Sequence, residues 1–460
     1  MNSKQYRTEY DSIGKIMVPA QVYYGSQTQR AVNNFQISGT VLPRGFIKAQ
    51  GIIKAAAATV NMELGKLPTD IGKAIIQASE EVIEGKWDEH FVVDVYQAGA
   101  GTSQNMNANE IIGNRASEIL GRLSSTNRVH PNDHVNMSQS TNDTFPAAIN
   151  ISAVEMITEK LLPALCNLQV ELEKKAEEFM PILKSGRTHL HDAVPIRLGQ
   201  EFSGYAETVR ASAQQIEKCL NALYEIGLGG SAIGTKMNVD QKYPSKVIQE
   251  VVKRTNRPFR APENLFYFTQ NTSAAIRTML ALKESAVHLI KITSDLRLLS
   301  SGPRTGLAEI TLPSVQAGST IMPGKVNPAI LEMTHMVCCQ VIGNEAALST
   351  AGLSGQLEIN VMMPLIAHTL LQSLQILSNA VSTLVTKCIS GIGVNQETCT
   401  RFLEDSLALV TALSPKIGYD MASQIGKQAD EQNKTIKQIL QEKGMFTAEY
   451  EKLLDPRSMI

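Results

Sequence analysis

An eleven-residue segment, GSTIMPGKVNP at residues 318–328, places a hydroxyl, a cation and an amide among flexible glycines and prolines. Its end, Asn327-Pro328, is typical of a helix N-cap followed by proline at the first helical position. Lys325 and Asn327 would then lie beside the unpaired N–H groups of a helix start, where carboxylates bind readily. From these residues alone, an anion-binding loop and a plain surface loop are equally good interpretations.

Other chemistries fit the sequence less well. Five residues separate Gly318 from Gly324, and Val326 stands where a phosphate-binding P-loop needs Ser or Thr to hold magnesium, so the spacing excludes that motif. The sequence has no HExxH-type spacing of metal ligands, and we expect neither a metal nor another cofactor. The six cysteines include no CxxC pair, which argues against a disulfide framework and a zinc site.

The loop is flanked by sequence that is typical of long helices. Segments free of internal proline cover 199–225 and 272–299, and a similar one at 155–179 is interrupted only by Pro163. A further segment is apolar on most sides, which favours burial in a large bundle and against other subunits. Its clearest face comprises Met363, Ile366, Leu370, Leu374, Leu377, Val381, Leu384 and Cys388. We therefore expect an all-α protein built on an antiparallel bundle of long helices.

Changes of pattern divide the chain into three predicted domains. Residues 1–142 combine a polar lead, a turn-rich segment and two or three helices, and form a helical N-terminal domain. Residues 143–394 form the central long-helix bundle, which includes the loop at 318–328. Residues 395–460 contain short, charged amphipathic helices broken by proline and glycine, which predicts a small C-terminal helical domain.

Composition and charge argue against several partners. The 460 residues carry 43 basic and 44 acidic side chains, interspersed, so no basic field is present for nucleic acid or anionic lipid. No apolar stretch reaches the roughly 18 residues needed to span a bilayer, and the N-terminal string MNSKQYRTEY lacks an apolar signal core. We expect a cytoplasmic protein with no nucleic-acid partner and no membrane partner.

The loop and several other strings together resemble one family. GSTIMPGKVNP is similar to GSSxMPxKxNP, the signature of the fumarase/aspartase superfamily, with Thr320 as a conservative departure. Further similar strings follow in order, and chance would not place so many: YRTEYDSIG, YYGSQTQRAVNNF, GAGTSQNMNANE, HPNDHVNMSQSTND, GRTHLHDAVP, LGGSAIGT and SSGPRTGL. The resemblance implies a three-domain all-α fold that packs into a homotetramer with a helical core. It also implies that each active site gathers residues from three subunits.

The resemblance implies that Ser319 is a general base, with Lys325 and Asn327 as its helpers. The base would remove a proton from the carbon next to a substrate carboxylate. A serine hydroxyl is a poor base near neutrality, so nearby cations and loop amides must stabilise its alkoxide. Proton removal puts a second negative charge on the substrate carboxylate, giving an aci-carboxylate, and the site must supply donors there.

Three clusters of hydroxyl, amide and imidazole groups are implied to bind the dicarboxylate substrate. Taken singly, each is more often a helix cap or a structural pair, but together with the loop they favour a binding site. Their substrate-binding members are Thr102, Ser103, Ser140, Thr141, Asn142 and Thr188. The resemblance also makes His189 catalytic and held by the carboxylate of Glu332. A secondary anion site is implied at His130, Asn132 and Asp133.

Two branches of the family are the main functional alternatives. Fumarases usually carry GSGTQ, whereas this chain has Ala100 in GAGTS, the form of aspartate ammonia-lyases, and GQLEINVMMP points the same way. MVCCQVIGNE and SLALVTALSPKIGYD are more similar to fumarases. The balance favours the reversible anti-elimination of ammonia from L-aspartate to give fumarate. The alternative is the dehydration of L-malate to fumarate.

A helical scaffold without catalysis is a third alternative from a different functional class. The intact Ser319, Lys325 and Asn327 argue against it, because loss of any of them would have favoured it. Argininosuccinate and adenylosuccinate lyases are less similar outside the loop. His191 replaces the glutamine usual after GRTHL, and we expect it to affect substrate preference or pH response.

Overall fold

The computed structural model describes residues 5–121 and 128–460, most of which are helical. The described strands form two-stranded antiparallel pairs and are β1 (Tyr6–Asp11), β2 (Gly14–Pro19), β3 (Leu183–Thr188), β4 (His191–Arg197), β5 (Ile310–Thr311) and β6 (Gly393–Val394). The helices are α1 (Ser26–Asn34), α2 (Arg44–Glu63), α3 (Thr69–Ile83), α4 (Thr102–Ile119), α5 (Thr141–Met156), α6 (Leu162–Phe179), α7 (Leu198–Leu223), α8 (Tyr243–Thr255), α9 (Leu265–Gln270), α10 (Ser273–Leu299), α11 (Ala329–Gly352), α12 (Met363–Lys387), α13 (Gln396–Asp405), α14 (Ser414–Ile417), α15 (Tyr419–Gln432), α16 (Ile436–Glu442) and α17 (Ala448–Leu453). The first four residues of the N-terminal string lie outside the described part of the chain.

The long helices lie close to where the sequence predicted them. Helix α7 begins at Leu198 and α10 ends at Leu299, in agreement with the proline-free segments. The predicted helix at 155–179 is divided instead, because the chain forms a wider π-type turn at Ile157–Leu161 between α5 and α6. Pro163 follows this turn. A proline has no backbone N–H, so it cannot donate the hydrogen bond that the carbonyl four residues earlier accepts in a regular helix.

Helix α12 is buried through its apolar residues. Every member of the predicted face, from Met363 to Cys388, is at most 3% exposed, and Leu371 and Val385 on other sides are buried as well. Burying a leucine or valine side chain stabilises a fold by about 1.5–3 kcal/mol. Across the described residues, no helix is long and apolar enough to cross a membrane.

The contacts divide the chain into two compact units, each with its own interior. The first unit comprises Met1–Pro163, Gln214–Ala286 and Cys339–Ser378, and the second comprises Ala164–Ala213, Val287–Cys338 and Asn379–Ile460. Helices α7, α10, α11 and α12 contribute a part to each unit. The three predicted domains, with boundaries after residues 142 and 394, stay a prediction.

The core of the first unit is built around α2. Its run of alanines, Ala55 to Ala58, is buried, and the helix packs against α3, α5 and α8. Small side chains allow close approach of helix backbones because they add little width to the interface. One charged residue, Lys54, is buried in the same helix with 1% of its surface exposed.

The second unit joins α6, α7 and α10 through specific contacts. The rings of Phe179 and Phe202 meet edge to face at 5.2 Å. The Tyr205 hydroxyl donates to Asp295 Oδ2 at 2.9 Å. The C-terminal helices have a small apolar core of their own, which contains Leu413, Ile425, Ala429, Ile436, Ile439 and Leu440.

The β3–β4 hairpin of the second unit rests on a buried ion cluster. Glu309 is fully buried, with Oε2 at 3.0 Å from Lys184 Nζ and Oε1 at 2.9 Å from Arg187 Nη1. Lys184 Nζ also lies 2.7 Å from Glu201 Oε1. Two cations therefore balance two carboxylates. Removing one charge would leave another buried and uncompensated.

We predict that Glu309→Gln destabilises the protein by about 3 kcal/mol, because it leaves the Lys184 and Arg187 cations with one carboxylate between them. The measurement is urea unfolding at a fixed chain concentration, with the exposed Glu404→Gln on α13 as the matched control. Equal unfolding midpoints for the two variants would show that the cluster does not stabilise the hairpin.

Candidate active site

The loop at 318–328 surrounds the Ser319 hydroxyl with backbone N–H groups. Ser319 Oγ accepts hydrogen bonds from the N–H of Ile321 at 3.2 Å and of Met322 at 3.0 Å. Preorganised N–H donors stabilise negative charge on an oxygen without any reorganisation during the reaction. These two donors therefore stabilise negative charge on Ser319 Oγ relative to a serine without them.

Two hydrogen bonds across the loop fix the position of Ser319. The Gly318 N–H donates to the Lys325 carbonyl at 2.8 Å, and Asn327 Nδ2 donates to the Gly318 carbonyl at 2.7 Å. A Cβ on Gly318 would lie 2.5 Å from the Lys325 carbonyl oxygen, so only glycine fits there. Gly324 has φ +81°, in the left-handed region that favours glycine.

The helix start after the loop differs slightly from its prediction. Helix α11 begins at Ala329, one residue later than the Asn327-Pro328 pattern predicted. The Asn327 side chain closes the loop instead of capping the helix, and its backbone carbonyl accepts the Ala329 N–H at 2.8 Å. Asn327 therefore links the loop to a rigid helix.

Lys325, Asn327 and Glu332 line one cleft of about 750 Å³ in the second unit, together with Arg297 of α10. Glu332 Oε1 lies 3.9 Å from Arg297 Nη2. Within the described residues of one chain, no hydrogen bond joins Glu332 to His189. The pairing of these two residues stays a prediction.

Thr188 and His189 lie at the exposed tip of the β3–β4 hairpin. His189 and Leu190 have φ of 56° and 60°, which is the backbone of a tight two-residue hairpin turn. Thr188 lies directly opposite His191 in the strand register, so their side chains share one face. The hairpin presents a hydroxyl and imidazoles to whatever approaches its tip.

Thr102 and Ser103 form the first turn of α4 in the first unit. The chain enters this helix through Ala100 and Gly101, which have φ of 59° and 87°. A Cβ on Gly101 would lie 2.1 Å from the Phe145 ring, so glycine is required here. The helix start carries two hydroxyls at the positive end of the helix dipole, an arrangement that suits an anion. The Gln104 N–H of the same turn donates to Gln97 Oε1 at 2.9 Å.

Ser140, Thr141 and Asn142 begin α5 in the same unit. Ser140 is a helix cap, since its Oγ accepts the Asn142 N–H at 3.2 Å and its own N–H donates to Asp143 Oδ1 at 3.0 Å. Asn142 Nδ2 donates to the Ala232 carbonyl at 2.7 Å. The Thr141 hydroxyl accepts from Asn105 Nδ2 at 3.0 Å, which joins the starts of α4 and α5.

Sequence reasoning missed the polar network beneath these helix starts. Asp143 is buried, and its Oδ2 accepts N–H groups of Gly229 at 3.1 Å and Ser231 at 2.9 Å. Burial raises the pKa of Asp143 to about 7, and these N–H donors oppose that shift. Lys54 and Asn105 belong to the same network. The available signal was the run of asparagines in QNMNANE, which apolar periodicity does not register.

His130 has a local role in the first unit. Its Nδ1 accepts the N–H groups of Asn132 at 3.3 Å and Asp133 at 3.0 Å, at the start of the turn Pro131–Val135. The secondary anion site at these residues stays a prediction. Between residues 5 and 121 and from 128 onward, no group of three or more His, Cys, Asp or Glu side chains is placed to hold a metal.

Comparisons with known proteins agree with this fold. A family profile described as Lyase matches residues 14–343, and one described as Fumarase C C-terminus matches residues 409–460. Fumarate hydratase 1, mitochondrial, of Arabidopsis thaliana is 45% identical, covering 100% of this chain and 94% of the relative. Aspartate ammonia-lyase of Bacillus subtilis is 43% identical, covering 99% and 96%. The crystal structure of class II fumarase from Schistosoma mansoni has a TM-score of 0.96 at 36% identity and covers 99% of both chains.

The fold and the matches define a lyase. The chain belongs to the fumarase/aspartase superfamily. The all-α fold with a central bundle of long helices, predicted from the sequence, is thereby confirmed. The catalytic roles of individual residues stay predictions.

We predict that Gly318→Ala lowers turnover roughly a hundredfold, because the new Cβ would displace the Lys325 carbonyl and move Ser319 away from its N–H donors. Gly204→Ala on α7 is the matched control, since its Cβ would meet nothing within 4 Å. Turnover and unfolding temperature are measured for both variants. Normal turnover in Gly318→Ala would mean that the loop geometry is not needed for catalysis.

Proposed function

We propose that the chain catalyses the reversible hydration of fumarate to L-malate. The observation that carries the proposal is the pair of loop N–H groups that bind Ser319 Oγ. The comparisons support hydration over the ammonia elimination that the sequence favoured, because most of the similar relatives are named fumarate hydratases, such as those of Neisseria meningitidis and Thermosynechococcus vestitus.

In the dehydration direction, the Ser319 alkoxide takes a proton from the carbon next to one malate carboxylate. The electron pair moves into that carboxylate and gives the aci-carboxylate, whose second negative charge needs donors. The pair then returns to form the carbon–carbon double bond as the C–O bond on the neighbouring carbon breaks. The departing hydroxide takes a proton and leaves as water, and Ser319 gives its proton to solvent.

The other predicted residues supply charge and hydrogen bonds to this reaction. We assign Lys325 and Asn327 to the developing charge on the carboxylate, since they lie on the loop that holds Ser319. An imidazole exchanges protons near neutral pH, so His189 is assigned to protonate the departing hydroxide. Thr102, Ser103, Ser140, Thr141, Asn142 and Thr188 bind the two carboxylates.

The complete site is proposed to form in a homotetramer, with three subunits contributing to each site. The structure describes the Ser319 loop and the His189 hairpin in the second unit and the helix starts of α4 and α5 in the first. In this tetramer, Glu332 would hold His189 of another copy. A cytoplasmic location stays a prediction.

Elimination of ammonia from L-aspartate is the second candidate function. It is favoured by Ala100, which stands where fumarases usually carry a serine, and by the 43% identity to the aspartate ammonia-lyase of Bacillus subtilis. An extra hydroxyl at this position would help to orient water. Without it, the pocket is better suited to a different leaving group.

We predict that the purified protein forms fumarate from L-malate, with a kcat/KM at least about a hundredfold above that for L-aspartate. The measurement follows the ultraviolet absorbance of the fumarate double bond with each substrate in turn. Faster turnover of L-aspartate would replace hydration with the second candidate. Turnover of neither substrate by an intact tetramer would overturn both and favour a scaffold.

A further inference from the structure

A lysine ammonium is buried beneath the helix starts of the first unit, and the chemistry described above does not use it. Lys54 Nζ donates to three side-chain amide oxygens, those of Asn105 at 2.9 Å, Asn136 at 3.0 Å and Gln139 at 3.0 Å. All three hydrogens of the ammonium are therefore used. The three acceptors are neutral, so they complete the hydrogen bonding of the ammonium without cancelling its positive charge.

The ammonium decides how the neighbouring amides are oriented. It can only donate hydrogen bonds, so each amide that contacts it must present oxygen and not NH₂. For Asn105, the oxygen is held by Lys54 and the Nδ2 is directed to Thr141 Oγ1 at 3.0 Å. The same Nδ2 donates to Asn136 Oδ1 at 3.2 Å.

This orientation sets the polarity of the Thr141 hydroxyl. Because Thr141 Oγ1 accepts a hydrogen from Asn105, its own hydrogen remains available to donate. A substrate carboxylate accepts hydrogen bonds and cannot donate them. If Asn105 were flipped, its oxygen would take the Thr141 hydrogen, and the hydroxyl would face the substrate only as an acceptor.

We propose that Lys54 is a positioning residue that makes Thr141 a hydrogen-bond donor to the substrate carboxylate, acting through Asn105. This inference rests on the proposed function, because it assumes a dicarboxylate at the starts of α4 and α5. The buried cation also adds positive potential behind those helix starts, where the N–H groups already attract anions.

Burial and the charge of Asp143 act on the Lys54 ammonium in opposite directions. Burial lowers the pKa of Lys54 to about 7, and the charge of Asp143 on α5 opposes that shift. Asp143 is itself held by the N–H groups of Ser140, Gly229 and Ser231. Tyr243 of α8, also buried, is kept in its neutral form because burial raises its pKa. The groups that contact the ammonium directly are the amides.

We predict that Lys54→Met raises the KM for L-malate about tenfold and changes kcat less than about threefold, since it removes one oriented hydrogen bond to the bound substrate. Lys48→Met is the matched control. Lys48 lies on the same helix and pairs with Glu155 at the surface, so its loss should leave KM unchanged. A purely structural role for Lys54 would lower the unfolding temperature and the active fraction but not change KM.

A double-mutant cycle tests the route through Thr141. Thr141→Val alone should raise KM, and in the Lys54→Met background it should raise KM no further, because the hydrogen bond is already lost. Thr188→Val on the hairpin should instead raise KM by the same factor in the wild-type and Lys54→Met backgrounds, so that the two effects multiply. If Lys54→Met does not fold, Asn105→Ala replaces it, because that change breaks the same connection.

The outcomes separate this inference from the function on which it rests. Two results would overturn the role of Lys54 in an enzyme that still turns over malate. One is an unchanged KM in Lys54→Met. The other is that the effects of Lys54→Met and Thr141→Val on KM multiply. A wild-type protein without turnover of malate or aspartate would overturn the proposed function. In that case, calorimetry measures the affinity for fumarate of the same variants, and the same comparison tests the role of Lys54.

Discussion

The proposed chemistry depends on two hydrogen bonds that the N–H groups of Ile321 and Met322 donate to Ser319 Oγ. Hydrogen bonds to an ionised oxygen are roughly twice as strong as those to a neutral one, so the loop stabilises an alkoxide relative to a serine without these donors. The bonds between Gly318, Lys325 and Asn327 hold the loop in this shape.

The proposed function requires donors for a small dianion, and the candidate donors lie on regular secondary structure. The starts of α4 and α5 carry hydroxyl groups. Beneath them, Lys54 binds the Asn105 oxygen and Asp143 accepts the Ser140 N–H. The β3–β4 hairpin carries Thr188 and His189 on a tight turn supported by the Glu309 cluster. Rigid placement favours catalysis because the groups need little reorganisation when charge develops on the substrate.

Much of this organisation could be predicted from the sequence, and the exceptions have physical reasons. The long helices and the glycine-rich loop were predictable because apolar periodicity and glycine–proline spacing are local signals. The β3–β4 hairpin was missed, since its short strands contain glycine and charged residues and depend on Glu309, far along the chain. Lys54 was missed because a single lysine in an alanine-rich helix normally lies on a solvated face, and only the tertiary fold brings amides to it. The choice between hydration and deamination could not be predicted from apolar periodicity, which does not register single side chains such as Ala100.

In the proposed homotetramer, Ser319 of one copy and Thr141 of another act on the same substrate molecule. Mixing separately purified Ser319→Ala and Thr141→Val proteins, after dissociation and reassembly, tests it most directly. Each variant alone should turn over malate poorly, and random mixed tetramers should recover about a quarter of the wild-type sites, because some sites then combine both intact residues. Mixed tetramers that remain as inactive as their parents, or a Ser319→Ala protein with wild-type turnover, would contradict the claim.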